Sequence, residues 1–173
     1  MIRFRNILII FGLYSLILFE ASALTQHPEN NLFKISRSRD SDVICYDVSF
    51  GEGGRLDAGS PVNIYWIRRT KGSVREPLTW IQNRYSYGIK FFETSGDHAK
   101  FRFVSFDNKE FRLERSDEGR FRVYTALDNK TVIVERIFVQ FDGGTFLAPV
   151  ISEVILYGRD VESGFLLTED IKP

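Results

Sequence analysis

The stretch 99–126, AKFRFVSFDNKEFRLERSDEGRFRVYTA, decides the fold class. It holds three copies of one pattern: Phe101-Arg102-Phe103, Phe111-Arg112-Leu113 and Phe121-Arg122-Val123. Successive side chains of an extended backbone point to opposite faces, so a two-residue period gathers the apolar members on one side and the arginines on the other. Asp107-Asn108 and Asp117-Glu118-Gly119 stand between the copies and supply the conformations that tight reversals need. The segment therefore reads as an antiparallel meander with one wet face. Cross-strand packing of Phe101, Phe103, Phe111, Leu113, Phe121 and Val123 would hold it together.

Working outward, β-branched and aromatic residues also concentrate at 32–37, 43–50, 62–69, 87–93, 131–140 and 150–157. Glycine-rich and Asp/Asn-rich clusters separate these runs, as at Gly51-Glu52-Gly53-Gly54 and Asp142-Gly143-Gly144. Thr131 to Phe141, TVIVERIFVQF, is apolar on both parities, which predicts a strand covered on both faces. The single helical candidate is 76–87. There Pro77 suits a first helical position, Leu78, Ile81 and Tyr85 share a face, and Gly88 offers a stop. Strands at this density without a βαβ rhythm predict an all-β fold, an antiparallel β-barrel-like sheet or a two-layer β-sandwich of about eight to ten strands with one short helix.

At the N-terminus, Arg3 and Arg5 precede an apolar run from Ile7 to Phe19, and Ala21-Ser22-Ala23 has the small-x-small form of a cleavage site. Residues 1–23 read as a signal peptide removed after Ala23. Its apolar run makes about 20 Å of helix against a hydrocarbon core of roughly 30 Å, so no stable transmembrane span is expected after processing. Polar residues 24–31 read as a flexible N-terminal segment, and 32–173 as a single β domain. Cys45 is the only cysteine, so no internal disulfide is available and the core must hold the fold. The 23 basic and 23 acidic residues cancel, which argues against nucleic acid as a partner.

Enzyme signatures are sparse. Cys45 lies mid-strand among bulky neighbours and reads as a buried thiol. His27 and His98 form no metal-ligand spacing, and neither a G-x-S-x-G elbow nor a phosphate-binding glycine loop occurs, so no metal or cofactor is expected. Asp47 is the acid least like a turn residue; it is read either as the partner of an arginine or as half of a carboxylate pair acting on envelope polysaccharide. Arg37-Ser38-Arg39-Asp40-Ser41-Asp42 mixes signs at a strand junction and reads as a solvated turn in preference to an anion-binding loop. In the run 62–69, amphipathic Tyr65 and Trp66 adjoin Arg68 and Arg69, a composition that binding surfaces enrich. Tyr65 and Trp66 must face opposite sides, so at most one of them lines a given pocket.

The segments LFKISRS (32–38), VICYD (43–47), PVNIYWI (61–67), Tyr87-Gly88 and VILYGRD (154–160) together resemble a bacterial family of exported single-domain proteins of unknown function. The resemblance implies a Gram-negative source and a periplasmic or outer-surface location, and it brings no catalytic residues with it. Together these readings favour a non-enzymatic exported β domain, either ligand-binding or envelope-associated. A small, partly apolar ligand would sit in a barrel mouth near Tyr46, Asp47, Tyr65, Trp66, Arg68 and Tyr87. A polysaccharide-acting enzyme and a structural adaptor engaging another envelope protein through an edge strand are the alternatives.

Overall fold

The computed structural model describes residues 30–145 and 149–171. The expected signal peptide, its cleavage site after Ala23 and most of the N-terminal segment lie outside the described residues. In chain order the elements are β1 (Asn31–Arg37), β2 (Asp40–Val48), β3 (Val62–Arg68), β4 (Val74–Pro77), α1 (Trp80–Tyr85), β5 (Ile89–Thr94), β6 (His98–Phe103), β7 (Phe106–Arg115), β8 (Phe121–Leu127), β9 (Lys130–Gly144), β10 (Pro149–Asp160) and β11 (Leu166–Ile171). They form one sheet, β4-β3-β2-β1-β9-β8-β7-β6-β5, with β10 also on β9 and β11 beyond it. The sheet curls into a half-barrel, so the fold is all-β and barrel-like.

Among the described residues every strand pairing is antiparallel except that of β1 with β9, where Lys34 lies opposite Arg136 and Arg37 opposite Val139 in parallel register. Strand β9 is long enough to take three neighbours. Its start pairs with β8, its middle with β1, and its other edge with β10.

The meander forms as its period demands. Phe101, Phe103, Phe111, Leu113, Phe121 and Val123 are all buried, while Arg102 is exposed. Phe101 stacks on Phe111 with centroids 5.4 Å apart, and Phe103 meets Phe111 edge-on at 5.1 Å. Burying each such ring contributes about 1.5–3 kcal/mol.

Strand β9 is not covered on both faces: Ile133 and Phe138 stay partly exposed. Its double apolar parity has another cause. Val134 pairs with Gly158 and Arg136 with Tyr157, which leaves Glu135 as an extra residue and breaks the alternation there. Such a bulge switches parity, so Val132 and Val134 before it and Ile137 and Val139 after it all reach the same core.

The helix also differs from expectation. Pro77 ends β4, opposite Tyr65, and α1 begins only at Trp80. Thr79 caps it: the Gln82 backbone N–H donates to the Thr79 hydroxyl at 3.3 Å, and the Thr79 N–H donates to Gln82 Oε1 at 3.0 Å. This reciprocal capping box starts the helix in place of proline.

Candidate functional site

Within the half-barrel lies a cavity of about 610 Å³. That is within the roughly 300–1,000 Å³ of ligand pockets. Ile35, Phe103, Phe111, Ile137, Val139 and Val154 line it, and α1 contributes Trp80, Ile81, Gln82 and Tyr85. Trp80 is 68% exposed although it borders an apolar space.

The polar lining is small in number. Arg37 comes from the end of β1, where it shares parity with the buried Phe33 and Ile35. Its side chain is only 13% exposed, so it is no part of a solvated turn. One Nη donates to Asp40 Oδ2 at 2.6 Å and the other to the Tyr87 hydroxyl at 3.5 Å. The Nε is buried and has no hydrogen-bond partner among the described residues. Burial works against the guanidinium charge, but Asp40 and Tyr87 outweigh it and raise the pKa above the usual arginine value. Arg39, on the exposed turn, donates to the carbonyls of Gly143 and Gly144 at 2.6 and 3.0 Å and stands over the Phe141 ring.

Behind this lining is a braced aromatic layer. Trp66 is fully buried, donates from Nε1 to Gln82 Oε1 at 3.2 Å, and lies beneath the guanidiniums of Arg37 (4.4 Å) and Arg68 (4.1 Å). Gln82 therefore links α1 both to its own cap and to β3. Tyr46 stacks on Phe33 and donates its hydroxyl to the Tyr87 carbonyl at 2.6 Å. Burial pushes the Tyr46 phenol well above the ordinary tyrosine range. Arg68 is held by Glu76 at 2.8 Å and by buried Asp42 at 3.3 Å.

Of the residues singled out in the sequence, Tyr87 lines the cavity, Tyr46 and Trp66 touch Tyr87 from behind, and Arg68 rests on Trp66. Asp47 and Tyr65 have the other parity of β2 and β3; Tyr65 packs with Val43 and Cys45 in a separate small cluster. There the Tyr65 hydroxyl donates to Asp47 Oδ2 at 2.6 Å, and Asn31 donates to Asp47 Oδ1 at 2.9 Å. Asp47 is thus held by Tyr65 and Asn31 in place of the expected arginine. The sequence offers Arg37 and Arg39 only through the anion-binding loop that yields there to a solvated turn, and it does not single out the α1 aromatics as lining residues. For Arg37 a signal was present, since it continues the inward parity of Phe33 and Ile35.

Among the described residues, no three His, Cys, Asp or Glu side chains gather as a metal site would require. No helix among them is long and apolar enough to cross a membrane. Residues 33–169 match the family described as Domain of unknown function (DUF4833). The chain belongs to this family. The DUF4833 match runs from β1 into β11 and so takes in nearly all of the cavity lining. No curated protein and no solved structure matches the chain.

Proposed function

We propose that this DUF4833 domain binds a small, partly apolar ligand in the half-barrel cavity and does so after export, in the periplasm or at the outer surface. The observation that carries the reading is the cavity itself: about 610 Å³, mostly apolar in its lining, left unfilled by the side chains of the described residues. Unfilled apolar space costs stability, whereas a ligand methylene buried there gains about 0.8 kcal/mol. Tyr87 contacts the ligand, and Tyr46, Trp66 and Arg68 fix the wall that presents it. Export rests on the charged, apolar and small-residue succession of residues 1–23.

Titration with a neutral naphthylamine fluorophore tests the binding. The wild-type protein should enhance and blue-shift its emission, and Ile151→Trp, which fills the cavity from β10, should abolish the effect while leaving the circular dichroism unchanged. A folded wild-type protein that leaves the fluorophore unaffected overturns the reading. Mass spectrometry of the protein from an envelope fraction tests the export, with Leu24 expected as the first residue.

A further inference from the structure

The Arg37 end of the cavity carries more than a purely apolar occupant needs. Among the described lining residues there are two arginines, Arg37 and Arg39, and no aspartate or glutamate. Arg37 is nearly buried, yet its pairing is incomplete. One Nη holds Asp40, the other has only the long 3.5 Å contact with the Tyr87 hydroxyl, and Nε holds nothing among the described residues. Asp40 itself is shared, since its Oδ1 accepts the backbone N–H of Asp42 at 3.0 Å. A guanidinium offers five donors in a planar fork, the geometry that carboxylate and phosphate oxygens fit in pairs. Burying a cation with part of that capacity unused is costly; Nε is enclosed, so an incoming anion would relieve the cost at the Nη whose one contact is the distant Tyr87 hydroxyl.

We propose that the ligand is a single-chain amphiphile with an anionic head, carboxylate or phosphate, seated with the head at Arg37 and the chain along Phe111, Ile137 and Val154. This rests on the ligand-binding reading above and specifies the chemistry of its occupant. Trp66 beneath the guanidinium fixes its plane, and the Tyr87 hydroxyl adds a neutral donor beside it. Arg39, farther out on the turn, adds a second positive charge over Phe141.

Displacement of the neutral fluorophore by decanoate, decyl phosphate and decanol tests the proposal. At least one of the two anions should bind about tenfold or more tighter than decanol, and the tighter one identifies the head. Each added methylene should tighten binding about fourfold until the cavity is full. Arg37→Met should remove the anion preference and keep the affinity for decanol, and Arg37→Lys should retain part of the preference. Equal affinity for all three probes in the wild-type protein overturns the anionic head while the cavity reading stands. A preference that survives Arg37→Met overturns the assignment to Arg37. Should Arg37→Met fail to fold, the wild-type comparison with Arg37→Lys decides the matter.

Discussion

Asp42 illustrates at the scale of one residue what a buried charge requires in this protein. It is 4% exposed, and it accepts from the Thr70 N–H and hydroxyl, each at 3.0 Å, and from Arg68 at 3.3 Å. Burial alone would raise its pKa; the Thr70 and Arg68 donors outweigh that and hold the carboxyl below the usual aspartate value. A depressed folded-state value contributes stability that is present above the unfolded value of about 4 and is lost as pH falls through the folded one. Denaturant midpoints should therefore fall as pH drops below about 4, and Asp42→Asn should be less stable at neutral pH with a flatter acid limb. Single residues were the least legible scale in the sequence. That Tyr65 and Trp66 part to opposite faces followed from strand geometry alone, but a mixed-sign run hid that Arg37 turns inward while Arg39 borders the cavity from the exposed turn.

Elements whose period is uninterrupted were legible, and those that depend on an exception were not. The F-R-F type strands β6, β7 and β8 follow from alternation. Strand β9 resembles a doubly covered strand until the bulge at Glu135 is placed, because one inserted residue moves the apolar set to the other parity. Facing that bulge, Gly158 leaves room that Val132 occupies: a methyl group on Gly158 would lie 2.8 Å from Val132 Cβ. Gly158→Ala should cost about 1–3 kcal/mol in urea unfolding, and a Val132→Ala change should recover part of that loss. The helix start was misread because proline is a strong initial residue, whereas T-x-x-Q at Thr79–Gln82 was the operative cap. Thr79→Ala should lower stability by about 1 kcal/mol and speed amide exchange within α1, since one capping acceptor is lost. The edge strands β4 and β11 escaped notice because each is short and largely exposed, with charged residues among its few apolar ones, a pattern that discourages aggregation at an edge.

Across the whole molecule, cohesion comes from one aromatic core with a small satellite cluster on the opposite face of β2 and β3. The all-β class and the barrel-like sheet were readable because they sum over many alternating segments; the cavity was not, because it depends on how far the sheet curls. Cys45 reports on the integrity of the satellite cluster. It is 0% exposed, and burial raises its thiol pKa. A bulky disulfide reagent should label it only at the rate of unfolding, so labelling at successive urea concentrations should follow the loss of circular dichroism; fast labelling of the folded protein would contradict its placement. The parallel pairing of β1 with β9 has a consequence for the order of assembly. The hairpin of β1 and β2 can close as soon as both segments exist, yet the other edge of β1 stays bare until most of the polypeptide has been made. A ribosome-bound fragment ending before β9 should therefore present an open, sticky ribbon, and the last third of the chain supplies the keystone that turns it into a vessel.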